Sequence, residues 1–349
     1  MIESMEITSF KCIHHELIEF APLTLLSGPN SSGKSTVLQA ILLGTCAHQS
    51  QENLVQLKEV VKPFSRFNEV YNRYDNAQAV DIVIMGRGWP APLRRTLRAN
   101  VPVEEQPDPP QGLAYESTLF YLCANRVGPE ALAELNLELK IGESGQYALG
   151  YFEQRKDKPI HKELIVDDAP ARTLKAQVGW WLSFITGFEI GPVVEKVTPF
   201  QVKVSFNTPD LGDISPLNTG AGTSYLLKLL VMCLCAEPGN VLLVENPEIH
   251  LHPGAQSRLG CLFAFLASRG VQLVVETHCE HLVNRIRYEV YKKKIHRGDC
   301  VIYYKPGAQN PFVRIDINSR GHYADVSGQE MNFPSGFFDS TLAQLLEMS

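Results

Sequence analysis

The feature that most constrains this chain is the loop GPNSSGKST at residues 28–36. It follows the apolar stretch LTLL and opens KSTVLQAILLGTCA, in which apolar residues recur at helical spacing. The pattern G-x-x-x-x-G-K-[ST] between a strand and a helix predicts a phosphate-binding loop in an α/β fold.

The residue types of this loop suit the binding of ATP. Glycines let backbone N–H groups surround phosphate, and a helix N-terminus adds partial positive charge. Lys34 is expected to reach the β and γ phosphates, and the Ser35 hydroxyl to take a place on Mg²⁺. The expected contacts to the nucleotide come from Asn30, Ser31, Ser32, Gly33, Lys34, Ser35 and Thr36.

A second motif, VLLVENPEIHLHP at residues 241–253, provides an acid for the same site. Glu245 ends an apolar strand, and open α/β sheets bind ligands at the carboxyl ends of their strands. We therefore interpret VLLVE as the Walker B strand and Glu245 as a residue of the Mg²⁺ shell. An alternative is a transition-metal site formed by Glu248, His250 and His252, since carboxylate and imidazole suit Zn²⁺ or Mn²⁺.

Composition favours a folded cytoplasmic protein. The chain has 349 residues, 44% of them hydrophobic and 20% charged, and a formal net charge of −6, which gives no general attraction to nucleic acid. Its eight cysteines form no CxxC pair, its N-terminus lacks the layout of a signal peptide, and its longest apolar run is too short to span a bilayer. A cationic run from Arg285 to Lys294 has two readings, a solvated helix face or a nucleic-acid contact.

The remaining pattern predicts an α/β protein. MEITSF and LIEFA form an N-terminal hairpin, AVDIVIMG forms a strand, and strands alternate with helices in the last third, which predicts a largely parallel sheet flanked by helices. The proline-rich stretch from Gly86 to Gly112 is expected to be an exposed loop or small insertion. GPEALAEL is expected to contain the start of a helix. The sequence has no heptad pattern sustained over several turns, so a long coiled coil is not expected.

Several motifs, in order from Leu25 to Asp339, resemble known ATPases. LTLLSGPNSSGKST after a short β hairpin resembles the head domains of ABC-type ATPases, which include the SMC and RecF proteins. VENPEIHLHP followed by VVETHCEHLVNRIR is similar to the AAA-type ATPases related to the overcoming-lysogenization-defect (OLD) family. MNFPSGFFDS resembles the W-P-x-G-F-F-D tail of one branch of that group.

The resemblance implies a fold and site roles. It implies one ABC-type ATPase domain over residues 1–349, with an N-terminal β part and Walker A lobe (1–86), an insertion with helices (87–216), and a lobe with signature, Walker B, switch histidine and tail (217–349). His278 corresponds to the histidine that senses the γ phosphate. Asn218 and Gly220 lie where the signature motif meets a nucleotide held by a second subunit, so an ATP-dependent homodimer or higher homo-oligomer is implied.

Two further positions follow from the resemblance. The glutamine that couples the sheet to Mg²⁺ is expected to be one of Gln51, Gln56 and Gln78. Arg126, in the stretch ANRVGP, either touches phosphate and braces the site or is a surface arginine.

The chain departs from the family at one catalytic position. Asn246 follows Glu245, where most of the superfamily has the glutamate that polarises the attacking water, and an amide is a poor proton acceptor. Glu248 is the available substitute, and Asn246 could still orient a water. We therefore predict slow ATP hydrolysis, with Glu245, Asn246, Glu248 and His278 as catalytic residues.

Three functions are consistent with these motifs. The leading hypothesis is a sensor or motor subunit of a bacterial anti-phage defence or DNA-maintenance module. The sequence has no second cluster of acidic residues of the kind that a Toprim nuclease needs. A separate effector, either a nuclease or a toxin, is therefore expected. The second is a nucleotide-gated scaffold that holds an effector with little turnover, and the third is a RecF-like repair ATPase that contacts duplex DNA through the face from Arg285 to Lys294. DNA or a phage component is therefore a further candidate partner. No membrane partner is expected.

Overall fold

The structure is a computed structural model, and it describes residues 1–46, 60–64, 66–99 and 113–334. The chain divides into two compact units, each discontinuous in sequence. Unit 1 comprises the residues up to Tyr115, Val274–His278 and the residues from His296 onward, and unit 2 comprises Glu116–Leu273 and Cys279–Ile295. The division at residues 86 and 216 stays a prediction.

The strands of the described residues are β1 Ile2–Phe10, β2 Ile13–Glu19, β3 Leu23–Ser27, β4 Ala79–Gly86, β5 Leu93–Arg98, β6 Leu119–Leu122, β7 Leu132–Glu134, β8 Gly191–Thr198, β9 Gln201–Thr208, β10 Gly212–Ile214, β11 Val241–Glu245, β12 Gln272–Glu276, β13 Cys300–Tyr304, β14 Val313–Ile317 and β15 Tyr323–Ala324. The α-helices are α1 Lys34–Cys46, α2 Phe67–Val70, α3 Ala148–Arg155, α4 Leu174–Thr186, α5 Ala221–Leu234, α6 Pro253–Ser268 and α7 Glu280–Tyr291. Short 3₁₀ turns lie at Lys62–Phe64, Lys162–Leu164, Pro216–Asn218 and Arg297–Asp299.

Unit 1 begins with the predicted hairpin. β1 and β2 pair antiparallel with Thr8 opposite His15, and the four-stranded order is β2-β1-β4-β5. The alternating burial of β4 places its even-numbered residues in the core, as a sheet with one packed face requires. The expected N-terminal β part is therefore confirmed.

The phosphate loop leaves a second sheet of unit 1. In this sheet β13 lies parallel to β3, with Ile302 opposite Leu25, and the order on this side is β15-β14-β13-β3. The end of β12 also lies in unit 1, where the N–H of Thr277 donates to the carbonyl of Leu26 at 3.0 Å. All five residues of β3 are buried, and α1 is apolar on most of its faces, which is typical of elements at the centre of an α/β fold.

Unit 2 combines helices with two groups of strands. β11 lies parallel to β6, with Leu243 opposite Tyr121. β7, β8 and β10 each pair antiparallel with β9. Helix α5 is the most apolar helix of unit 2, and twelve of its fourteen residues are buried. Among the residues that the structure describes, no helix is long and apolar enough to cross a membrane.

Two expectations about the middle of the chain are wrong. The stretch after Gly86 contains strand β5, in which Leu93 and Leu97 are buried and which pairs along β4. The flanking prolines of the sequence suggested a loop, but the cross-strand pairing decides the conformation. Residues 100–112 of the same stretch lie outside the described residues.

The helix expected in GPEALAEL is also absent, and Leu132–Glu134 form strand β7 instead. The stretch is rich in helix-favouring residues, but Leu132 pairs with Lys203 of β9. Just before it, Glu130 is held in an ion pair by Lys228, whose Nζ is fully buried 2.6 Å away. Tertiary contacts here outweigh local propensity, and the next helix starts at Ala148.

Candidate functional site

The phosphate loop has the backbone geometry that its glycines permit. Gly28 has φ 142° and Gly33 has φ 105°, and Ser31 between them also lies at positive φ. A Cβ atom would come within 2.3 Å of the Lys305 carbonyl oxygen at Gly28, and within 2.2 Å of the Cys12 sulfur at Gly33. Glycine is therefore required at both positions by conformation and by space.

Helix α1 starts at Lys34, so the loop ends at a helix N-terminus with unused N–H groups. Asn30 and Ser31 are exposed and Ser35 is half-buried, whereas Ser32 and Thr36 are buried. The Ser32 Oγ is buried without a hydrogen-bond partner in the described part of the chain. This arrangement offers donors to an anion at the start of α1.

The Lys34 ammonium is held within the loop. Its Nζ donates to the Pro29 carbonyl at 2.8 Å and lies 3.7 Å from a carboxylate oxygen of Glu276, and both side chains are buried. Burial lowers the pKa of Lys34, and the negative charge of Glu276 partly offsets this. The lysine is thus positioned as a cation under the loop, as a phosphate ligand requires.

Sequence reasoning missed Glu276. Its signal was available, since Glu276 ends the apolar strand β12 as Glu245 ends β11. His278 follows two residues later and is partly exposed. Partial burial lowers its pKa, and the Lys34 cation lowers it further, so the neutral imidazole is favoured. Unit 1 therefore brings together the phosphate loop, Glu276 and the predicted switch histidine.

In unit 2 the Glu245 carboxylate is oriented by two donors. The Tyr121 hydroxyl donates to Oε1 at 2.9 Å, and the Ala124 N–H donates to Oε2 at 3.0 Å. Burial and the charge of Glu245 raise the pKa of Tyr121, so the phenol stays protonated and remains a donor. Because a carboxylate has about four acceptor sites, these bonds fix its orientation and leave capacity for further ligands.

Arg126 lies against the end of the same strand. Its Nη2 donates to the backbone carbonyl of Glu245, and only 5% of the residue is exposed, so the alternative of a surface arginine is wrong. Burial lowers its pKa to about 10, although the acidic groups nearby, including Glu248 and Glu245, oppose this. Arg126 braces the end of β11 within unit 2.

The turn after Glu245 has an unusual backbone. Asn246 has φ 42° and His250 has φ 59°. The Asn246 Oδ1 is buried with no hydrogen-bond partner among the described residues, and Glu248 is half-buried. Asparagine is one of the few residues other than glycine that readily adopt this conformation, so the residue type matches the backbone.

The two histidines of the alternative metal site make other contacts. The His250 ring stacks on Tyr225 with 5.2 Å between centroids, and His252 Nδ1 accepts from the Gly254 N–H at the start of α6. Across residues 1–46, 60–64, 66–99 and 113–334, no group of three or more His, Cys, Asp or Glu side chains is arranged to hold a metal ion.

The signature-like residues lie at the start of α5. Asn218 ends a 3₁₀ turn that Ser215 caps, Gly220 is the N-cap of α5, and both are exposed together with Leu217.

Of the three glutamine candidates, Gln51 and Gln56 lie outside the described residues, and Gln78 donates to the Asn76 carbonyl on the surface. In the tail, Phe333 contacts the rings of Tyr304 and Tyr323, and the residues after Pro334 lie outside the described part.

Two family models match the chain. Residues 1–84 match the family described as "AAA ATPase domain", and residues 144–284 match the family described as "AAA domain, putative AbiEii toxin, Type IV TA system". No curated protein shows significant sequence similarity to the chain.

Solved SMC heads share the fold. One, an SMC head bound to the C-winged helix domain of ScpA, is 15% identical with a TM-score of 0.53, over 91% of this chain and 98% of that chain. Another, an SMC head with an extended coiled coil bound to the C-terminal domain of ScpA from Pyrococcus furiosus, is 12% identical with a TM-score of 0.55, over 90% and 96% of the two chains.

The complete phosphate loop between β3 and α1 defines the chain as a P-loop protein of the α/β class. Its N-terminal and central parts match AAA ATPase family models and its fold is that of SMC heads, so the chain is similar to ABC/SMC-like P-loop ATPases of the AAA type. The narrower relation to the OLD family stays a prediction.

Proposed function

We propose that this chain binds ATP with Mg²⁺ and hydrolyses it slowly, using ATP mainly as a switch for assembly. The observation that carries the proposal is the phosphate loop itself, with glycines at positive φ, a helix N-terminus and the buried Lys34 ammonium. The loop residues Asn30 to Thr36 bind the phosphates, and backbone N–H groups and Lys34 provide most of the attraction.

The oxygen donors of the chain suit Mg²⁺. The Ser35 hydroxyl lies in the first turn of α1, and the Glu245 carboxylate is oriented by Tyr121 and Ala124. Mg²⁺ prefers hard oxygen ligands and keeps several of its waters, so one hydroxyl and one acid satisfy its needs. When bound, the ion neutralises charge on the β and γ phosphates.

For hydrolysis we assign Glu248 as the proton acceptor for the attacking water. Asn246 orients that water through its amide, and neutral His278 donates a hydrogen bond to the γ phosphate. The slow rate follows from the amide at position 246, because a general base in that place contributes about 10²- to 10⁴-fold and Glu248, two residues further on, replaces it only in part.

Steady-state ATPase and nucleotide-binding measurements test this assignment. Lys34→Ala is expected to lose ATP binding and turnover. Glu248→Gln is expected to keep binding while turnover falls at least about a hundredfold. The exposed Glu237→Gln is the matched control, with unchanged rates. Fast turnover that Glu248→Gln leaves intact would remove Glu248 from the mechanism.

The biological role that we propose is the sensor or motor subunit of a defence module with a separate effector. The matched family model names a toxin and a toxin–antitoxin system, and two of the SMC heads with this fold are bound to another protein. Asn218 and Gly220 are exposed at the start of α5, which leaves them accessible to a second copy of the chain. Mass measurement with and without ATP, followed by identification of co-purifying proteins, tests both parts. A chain that stays monomeric with ATP contradicts the assembly role.

A scaffold with little turnover is the second candidate, and the Asn246 substitution favours it. In that case Glu248→Gln and the wild-type chain would support effector binding equally, whereas Lys34→Ala would not. If Glu248→Gln no longer supports effector binding, the result favours the motor subunit over the scaffold.

A nucleic-acid role is favoured by one surface of unit 2. At the end of α7, Tyr288 and Tyr291 are exposed, and the Lys292 ammonium lies within 6.0 Å of both rings. Lys293 and Lys294 are exposed beside them. Interleaved cations and aromatic rings suit a phosphate backbone with unstacked bases. Salt-dependent DNA binding that Lys292→Gln with Lys293→Gln and Lys294→Gln removes would support this role, and salt-independent or absent binding would exclude it.

A further inference from the structure

Lys305, directly after β13, forms the floor of the phosphate loop. Its N–H donates to the Ser27 carbonyl at 2.9 Å, which continues the pairing of β13 with β3. Its own carbonyl oxygen occupies the space that a side chain at Gly28 would need, 2.3 Å from the Cβ position. The first glycine of the loop therefore rests on the backbone of Lys305.

The last glycine of the loop rests on the side chain of the same residue. The Lys305 Cε and Cδ atoms lie 3.3 Å and 3.7 Å from the Cβ position of Gly33. The ammonium is only one bond beyond Cε, so its charge lies beneath the loop backbone that precedes Lys34.

This ammonium is enclosed by protein. The residue is 1% exposed, and its Nζ donates to the Asn310 carbonyl at 2.6 Å and lies 4.6 Å from the centre of the Phe312 ring. A carboxylate oxygen of Glu16 lies 4.0 Å from this Nζ, and the same carboxylate accepts from the Phe312 N–H at 2.9 Å. Burial lowers the pKa of Lys305 and raises the pKa of Glu16, so both groups are poorly solvated.

In the part of the chain that the structure describes, Glu16 is the carboxylate within ion-pair distance of this ammonium, and only at 4.0 Å. The electric field of such a buried cation is screened by water less than that of a surface charge. The loop above it is the segment whose N–H groups are proposed to bind phosphate. In the proposed ATP complex Lys34 contacts the phosphates directly, whereas Lys305 lies behind the loop and acts through the loop backbone and through its charge.

We propose that Lys305 is a second cation of the nucleotide site, a positioning residue that supports the phosphate loop from beneath and selects for ligands with several phosphate charges. The inference rests on the proposed binding of ATP at this loop. Its consequence is a dependence on ligand charge, with the greatest effect on ATP, a smaller one on ADP and none on adenosine. A purely structural role for Lys305 would change all three affinities together.

Calorimetric titration of the full chain with ATP, ADP and adenosine tests this proposal. Two variants are compared, one that removes the positive charge of Lys305 and one that removes the negative charge of Glu16. Lys305→Met keeps the apolar stem against Gly33 and removes the charge, and it is expected to weaken ATP binding about tenfold and ADP binding less. Glu16→Gln keeps an oxygen for the Phe312 N–H and removes the opposing charge, so it is expected to tighten ATP binding. Arg66→Met, which removes an exposed charge of unit 1, is the control and is expected to leave the affinities unchanged.

The outcomes separate this inference from the proposed function. If Lys34→Ala loses ATP while Lys305→Met binds it like wild type, the second-cation role is overturned and the ATP site stands. Equal weakening for all ligands, or shifts of Lys305→Met and Glu16→Gln in the same direction, also overturns it. Should Lys305→Met fail to fold, Glu16→Gln decides alone, since an unchanged or weaker ATP affinity contradicts the proposal. A wild-type chain without Lys34-dependent ATP binding overturns the proposed function and this inference together.

Discussion

At the scale of single residues, Asn246 links sequence and backbone. The resemblance to ABC-type ATPases predicts a catalytic glutamate at this position, and the φ of 42° is a conformation that asparagine accepts more readily than glutamate. The residue type at position 246 and the backbone of the turn after β11 therefore match each other. This supports the proposal of a switch-like ATPase, because a left-handed backbone at this position disfavours the glutamate that the resembled ATPases carry there.

A stability measurement tests this reading of Asn246. Asn246→Gly is expected to leave the free energy of unfolding nearly unchanged, because glycine adopts positive φ without strain. Asn246→Ala is expected to lower it by about 1 kcal/mol, since alanine is strained there. Chemical denaturation of both variants checks the difference, and equal stabilities would contradict a left-handed residue at this position.

At the scale of secondary-structure elements, the close approach of α5 to the segment after β11 organises unit 2. A Cβ atom at Gly222 would lie 2.4 Å from the His250 carbonyl oxygen. On the same helix, Tyr225 stacks on the His250 ring, and Lys228 holds the loop after Arg126 through Glu130 and the Val127 carbonyl. The helix that follows the signature-like residues is thus tied to both segments that flank the Glu245 carboxylate.

Gly222→Ala is therefore expected to destabilise the fold by more than about 2 kcal/mol. The sign of this change in the free energy of unfolding is the test. In a helix position with no close neighbour, alanine is more stable than glycine by about 1 kcal/mol, whereas a clash reverses the sign. Gly191→Ala is the matched control, since a Cβ there meets nothing within 4 Å, and it is expected to be neutral or mildly stabilising. Stabilisation by Gly222→Ala in thermal or chemical unfolding would contradict the tight contact.

At the scale of the whole molecule, nucleotide binding and folding are linked. A ligand that binds only the folded chain stabilises it by about 2.7 kcal/mol at a hundred times its Kd. We expect ATP with Mg²⁺ to raise the midpoint of thermal unfolding, and Lys34→Ala to remove this shift while it folds normally without ATP. An equal ATP-induced shift in Lys34→Ala would place the nucleotide somewhere other than the phosphate loop.

The P-loop class of this protein was predictable from the sequence, because the motif that defines it lies within one short segment of the chain. A phosphate loop needs glycine, lysine and serine at fixed spacing between a strand and a helix, and GPNSSGKST has them in that place. The hairpin, β4, α1 and the alternating last third were predictable for the same reason, since each has a periodicity of its own. β5 and β7 were not, because their strand conformation comes from pairing with β4 and β9 rather than from their own residues.

Only the tertiary structure decided what surrounds the predicted site residues. It brought Glu276 to Lys34, buried Arg126 against Glu245, and placed Lys305 beneath both glycines of the phosphate loop. In the sequence, Glu276 is one more acid, Arg126 fits a surface position equally well, and Lys305 is an isolated lysine after a strand. Burial and the field of a neighbouring charge depend on segments distant in the chain, so the motif residues were predictable and the groups that tune them were not.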